Sequence, residues 1–140
     1  MNSDFIVAVH AMVVLYHKGK TVSSETLADN ICTNPARVRR VMAKLKKASL
    51  VETREGRTEG GYCYKGEKKI TLKDIGEALQ VRFADFTGRS GDKEKDCLIS
   101  SGMSDFMDDL HGELNLRCKM YLDTLTIPDV EQRLVKRAKK

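Results

Sequence analysis

The segment covering residues 35–48 restricts the fold more than any other part of the chain. Four apolar residues share the i, i+3, i+4, i+7 spacing of an amphipathic helix: Val38, Val41, Met42 and Leu45. Asn34 can cap this helix, and Pro35 suits its first position, where the missing N–H is not needed. Residues 37–47 also carry six basic residues and no acid. The pattern therefore predicts a helix with one buried face and one basic, exposed face.

The flanking segments predict the rest of a winged helix-turn-helix. Apolar spacing indicates a first helix over residues 3–17, and Ser23 can cap a short second helix. After the basic helix, residues 50–54 and 62–65 are typical of two strands around a Gly-containing turn. Three helices followed by a hairpin predict a mainly α fold with a small β-hairpin.

A long helix is predicted after residue 97, because apolar residues from Ile99 to Leu125 recur with a mean step of about 3.7 residues. Such a helix would be about 40 Å long, more than a small winged domain is wide, so we expect it to pair with a second copy of the chain. The predicted dimerisation residues are Ile99, Met103, Phe106, Leu110 and Leu114. The alternative is a helix broken at Gly102 or Gly112 that folds back on its own domain.

The chain is therefore expected to contain three regions. A winged helix-turn-helix DNA-binding domain covers residues 1–82, and an exposed loop covers residues 83–96. Residues 97–140 contain the dimerisation helix and a short C-terminal helix that begins near Thr126 and Pro128.

The charge distribution favours DNA as the partner. The net charge is only +5, but the segment 1–65 carries 11 basic and 6 acidic side chains, while the segment 97–127 carries 2 and 5. The major groove of B-DNA admits one α-helix, and a guanidinium can bond two acceptors of guanine, so we assign Arg37 and Arg40 to base edges and the lysines to phosphates. The predicted contacts with a double-stranded operator are Thr33, Asn34, Arg37, Arg39, Arg40, Lys44, Lys47, Arg54 and Arg57.

Two other interpretations of the basic residues remain open. The basic face of the third helix could be an ordinary solvated surface, and Arg54 and Arg57 in the hairpin turn could be surface residues without a binding role. The fold could also be a winged-helix module that binds protein and has no specific DNA target. The second is disfavoured because protein interfaces are depleted in lysine.

Other classes of protein are not indicated. No nucleophile stands at a recognised spacing from a base, and no phosphate-binding Gly loop is present, so we expect no enzyme. The longest apolar run has six residues, whereas a membrane-spanning helix needs about 20, and no basic leader precedes it. We therefore expect a cytoplasmic protein without membrane association. The four cysteines form no CxxC pair, which favours free thiols and no metal site.

Three segments resemble the bacterial Rrf2 family of winged-helix transcriptional regulators. They are FIVAVHAMVVL (5–15), SSETLADNICTNPARVRRVMAKLKKASLVETREGRTEGGY (23–62) and ITLKDIGEAL (70–79). The resemblance is strong over these segments and covers the remaining third of the chain mainly in layout. It implies a homodimer joined by the long helix, which binds a two-fold operator and usually represses transcription.

The cysteines depart from the pattern of the cluster-binding members. Those members carry three cysteines close together before the long helix, whereas this chain has only Cys97 there. We therefore expect no iron–sulfur cluster and no other cofactor. Thiol oxidation at Cys32 or Cys97 is a second sensing route, since Cys32 lies in the turn before the DNA-reading helix. The alternative is that Cys32 is a small buried apolar residue.

Overall fold

The computed structural model describes residues 2–55, 60–66, 69–86 and 88–138. Its elements in chain order are α1 (Asn2–Lys18), α2 (Ser24–Ile31), α3 (Pro35–Lys47), β1 (Val51–Arg54), β2 (Gly61–Tyr64), α4 (Leu72–Ala78), α5 (Leu98–Leu122) and α6 (Ile127–Ala138). The predicted order of three helices and a hairpin, with a long helix towards the C-terminus, is confirmed.

Side-chain caps fix the two helices of the helix-turn-helix. Ser23 accepts a hydrogen bond from the backbone N–H of Thr26 at 3.1 Å, and Asn34 Oδ1 accepts one from the backbone N–H of Arg37 at 2.8 Å. The four apolar residues predicted for the inner face of α3 are fully buried. They pack in one core with α1 residues such as Met12 and Leu15, so the opposite face of α3 points outward.

The wing is a two-stranded antiparallel sheet. β1 pairs with β2 in a register that runs from Val51 opposite Tyr64 to Arg54 opposite Gly61. Val22 extends the pairing, because its N–H and C=O both bond to Tyr62 at 2.9 Å. A Cβ on Gly61 would overlap the Val22 carbonyl oxygen, so the close approach of this third segment requires glycine.

The helical spacing of Leu72, Ile75 and Leu79 predicts a helix from Leu72 to about Val81, and α4 is shorter than this. It begins with a capping box in which Thr71 and Asp74 bond to each other's backbone N–H. It ends at Ala78 because Gln80 adopts a left-handed conformation and the Val81 N–H bonds back to Gly76 O. The predicted C-terminal boundary was wrong by three residues.

α6 returns to the N-terminal domain. The Leu72 N–H donates to Leu125 O and the Ile127 N–H donates to Ile70 O, both at 2.9 Å, and these bonds direct α6 along α1. The described residues of Met1–Val81 and Leu122–Lys140 therefore form one compact unit, and Arg82–Tyr121 forms another. This division differs from the predicted grouping of residues 97–140, which joined α6 to the long helix.

The second unit contains most of α5 and the loop before it. α5 continues through Gly102 and Gly112, so the alternative of a break at either glycine is wrong. Asn115 anchors the loop, since its Oδ1 accepts the N–H groups of Phe83 and Ala84 at 2.7 and 3.1 Å. None of the helices in the described ranges is long and apolar enough to cross a membrane.

Candidate nucleic-acid interface

The outward face of α3 is basic along its whole length. No acidic residue occurs in the helix, and five of its six basic side chains are exposed, while Arg37 is half-buried. The helix begins at the surface turn formed by Cys32, Thr33 and Asn34. The predicted contacts on α3 and its first turn therefore lie on one continuous surface.

Arg37 and Arg40 share one carboxylate from α1. Asp4 Oδ1 accepts from Arg37 Nε at 3.1 Å and from Arg40 Nη2 at 3.2 Å, and Asp4 Oδ2 lies 3.4 Å from the same Nη2. Burial acts to raise the pKa of Asp4, but the hydrogen bond from Arg37 and the charge of Arg40 outweigh it and hold that pKa below its usual value. Asp4 was not predicted from the sequence, because a contact between such distant positions leaves no local signal.

The remaining cations of α3 fall into two groups. Arg39 lies on the α2 side, where its Nη1 donates to Ser24 Oγ at 3.3 Å and lies 3.7 Å from Glu25 Oε1. The lysines make no ion pair with any residue in the described ranges; they are Lys44, Lys46 and Lys47. Their charges are therefore available to an anionic partner.

The base of the wing adds more positive charge. Arg54 is exposed at the end of β1 and lines a cleft together with Lys18, the last residue of α1, and Lys20, which follows α1. Neither lysine was predicted as a contact, because only the folded wing brings them near Arg54. Arg57, also predicted to contact DNA, lies outside the described residues.

The predicted dimerisation residues share one side of α5. Ile99 and Phe106 are 69% and 60% exposed, Leu110 and Leu114 are also exposed, and Met103 is half-buried. No described residue of α5 is buried. The helix therefore presents an apolar stripe that the second unit itself does not cover.

The two candidate redox cysteines are both exposed. The alternative in which Cys32 is a buried apolar residue is therefore wrong. It occupies the C-cap of α2 in a left-handed conformation, and its Sγ lies 3.7 Å from Asp29 O. Cys97 immediately precedes α5, where hydrogen bonds from the backbone N–H groups of Ser100 and Ile99 lower the pKa of its thiol.

The donor set does not fit an iron–sulfur cluster held within one chain. Such a cluster needs about four thiolate or imidazole ligands. Cys97 is far from the other cysteines in the sequence, since the nearest are Cys63 and Cys118. The described residues also contain no group of three or more His, Cys, Asp or Glu side chains placed to hold a metal ion.

Comparison with known proteins identifies the family. Residues 1–133 match the family model of Rrf2, described as iron-dependent transcriptional regulators. The chain belongs to the Rrf2 family. Members of this family are DNA-binding transcriptional regulators and not enzymes, so the predicted class and the resemblance drawn from the motifs are confirmed.

Individual relatives of this Rrf2 regulator agree with that assignment. YwnA of Bacillus subtilis (strain 168), named as an HTH-type transcriptional regulator, is 28% identical over 134 residues, 96% of this chain and 98% of YwnA. A transcriptional regulator from Lactobacillus plantarum superposes with a TM-score of 0.77 at 23% identity, over 96% of this chain and 91% of that one. The cysteine regulator CymR of B. subtilis gives 0.68 at 19% identity, over 95% and 96%. The two structural matches support the fold alone.

Proposed function

We propose that this Rrf2 regulator binds a double-stranded DNA operator as a homodimer, with α3 in the major groove. The observation that carries the proposal is the outward face of α3, which is basic, free of acids and exposed, while the opposite face is fully buried. A helix held in this way fits the width of the groove and presents cations to phosphates on both sides of it.

The contacts divide by the chemistry of the side chains. Arg40 and Arg37 read base edges, because a planar guanidinium can donate two hydrogen bonds to guanine. Arg39, Lys44 and Lys47 bind phosphates, and the first turn, with Thr33 and Asn34, approaches the DNA with the positive end of the helix.

The wing supplies a second contact. Arg54 and Arg57 enter the adjacent minor groove, whose negative potential attracts arginine. Lys18 and Lys20 line the cleft beside Arg54 and bind the phosphates that flank this groove.

The dimer forms through α5. A helix of 25 residues with no buried side chain gains little stability from packing within its own unit, and isolated helices are marginal in water. Pairing about a two-fold axis buries the stripe from Ile99 to Leu114 and places two α3 helices on one operator. A dimer seated in a promoter blocks access of the polymerase, so we assign repression, in the cytoplasm, as the outcome.

The cysteines provide a redox input to the same regulator. A peroxide would oxidise the Cys97 thiolate to a sulfenic acid and would itself be reduced. The same chemistry at Cys32 would disturb the turn that positions α3. Neither route requires a metal.

Selection of bound duplexes from a random pool tests the proposal. We expect the enriched sequences to share a two-fold motif whose half-sites lie about one helical turn apart, or a multiple of it. Enrichment of a single, asymmetric half-site would contradict the dimer, and the absence of any enriched motif would contradict sequence-specific binding.

A further inference from the structure

Asp4 places a negative charge against the helix that we assign to DNA. Its carboxylate lies 3.1 to 3.4 Å from nitrogens of Arg37 and Arg40, and only 13% of its side chain is exposed. A carboxylate at this position repels the phosphates of any DNA that docks on α3. By electrostatics alone, Asp4 therefore weakens DNA binding.

The same contact orders the two arginines before DNA arrives. An arginine has a long side chain, and it loses conformational entropy when DNA binding fixes its rotamer. An arginine that an ion pair already holds in place loses less entropy on binding. Arg37 is the more enclosed of the pair, with 28% of its side chain exposed, while Arg40 is held through one terminal nitrogen and remains 59% exposed. The carboxylate thus fixes the side-chain direction of Arg40 without covering it.

We propose that Asp4 is a positioning residue for sequence readout. It holds Arg37 and Arg40 in the orientation that reads base edges, and this increases discrimination between sequences at the expense of affinity for DNA in general. The proposal rests on the proposed function, because it requires α3 to bind DNA.

The Asp4→Asn variant tests both effects of Asp4, its repulsion of DNA and its positioning of the two arginines. It keeps the shape of the side chain and removes its charge. The dissociation constant is measured for a duplex selected by the wild-type protein and for a scrambled duplex of equal length, at several salt concentrations. We expect the variant to bind the scrambled duplex more tightly, and we expect the ratio of the two constants to fall about tenfold, the size of one base contact.

Asp29→Asn is the matched control, because Asp29 is an exposed acid on α2 with no ion pair to the described residues. It removes the same charge without touching the arginines. We expect Asp29→Asn to change the affinity for both duplexes equally and to leave their ratio unchanged. Asp4→Glu restores the charge, and we expect it to recover part of the discrimination even if Asp4→Asn unfolds at a lower temperature.

A protein that carries Arg37→Ala and Arg40→Ala tests whether Asp4 acts on sequence discrimination through these two arginines. In that protein, Asp4→Asn should not change the ratio further. The proposal would be overturned if Asp4→Asn left the ratio of the two dissociation constants unchanged in the otherwise wild-type protein. It would also be overturned if Asp4→Asn lowered this ratio equally in the protein that lacks Arg37 and Arg40. Failure of the wild-type protein to bind either duplex would instead overturn the proposed function.

Discussion

Cys97 is the residue whose chemistry the structure makes most specific. It is exposed, and backbone N–H groups of Ser100 and Ile99 donate to its sulfur and hold the pKa of the thiol below its ordinary value. Because the thiolate is the reactive form, its alkylation should begin at a lower pH than that of an ordinary cysteine. The measurement is the rate of reaction with iodoacetamide against pH, in a protein that keeps Cys97 and has serine at its three other cysteines.

A cysteine in an unstructured peptide with blocked termini is the reference for that experiment. We expect the midpoint of the rate profile to lie below that of the reference, so that Cys97 reacts faster near neutral pH. A midpoint at or above the reference would show that the hydrogen bonds to the sulfur are absent in solution.

At the same scale, local sequence predicted some residues well and others not at all. The caps Ser23 and Asn34 were predicted because a cap acts on a backbone N–H only two or three residues away. The contact of Asp4 with Arg40 spans 36 residues and depends on how α1 docks on α3. No periodicity or spacing encodes that distance, so only the fold could reveal it.

Among the elements, the wing depends on one glycine. A Cβ at Gly61 would overlap the backbone of Val22, which bonds to Tyr62 at the edge of β2. We therefore expect Gly61→Ala to lower the free energy of unfolding by about 1 to 3 kcal/mol, the usual effect of forcing extra volume into a packed site. Urea unfolding followed by circular dichroism measures the change.

Gly66→Ala is the control for this variant, because nothing lies within 4 Å of a Cβ built there. It should unfold at about the same urea concentration as the wild-type protein. Equal stability of the two variants would mean that Val22 does not pack against β2 as described.

The elements themselves were largely predictable, since each helix and strand follows from periodicity over its own residues. α3 ends at Lys47, within one residue of the predicted end. The end of α4 was missed because Gln80 takes a left-handed conformation, which non-glycine residues rarely adopt and which propensity does not favour.

At the scale of the whole molecule, the proposed dimer interface is the exposed apolar stripe of α5. We expect Phe106→Glu and Leu110→Glu together to convert the proposed dimer into monomers, because each chain would then bury two charges without partners in the apolar stripe. Sedimentation velocity measures the change. Leu116→Glu is the control, since Leu116 is also exposed but lies on another side of the helix.

A dimer that survives the double substitution would contradict the proposed interface. Dissociation caused equally by Leu116→Glu would show that the stripe is assigned to the wrong side of α5.

The packing of the whole chain was the least predictable level. The short C-terminal helix was predicted from the sequence, but periodicity does not specify the element against which it packs. The bonds from Leu72 to Leu125 and from Ile127 to Ile70 direct α6 to α1, and both join segments that are far apart in the sequence.

The basic face of α3 is tested most directly by the salt dependence of binding to a random duplex. We expect the logarithm of the association constant to fall linearly with the logarithm of the salt concentration, by about 0.9 for each phosphate neutralised, and Lys47→Ala to reduce the slope by about one such contact. No binding, or binding that salt does not change, would contradict a DNA-binding role for α3 and favour a protein partner.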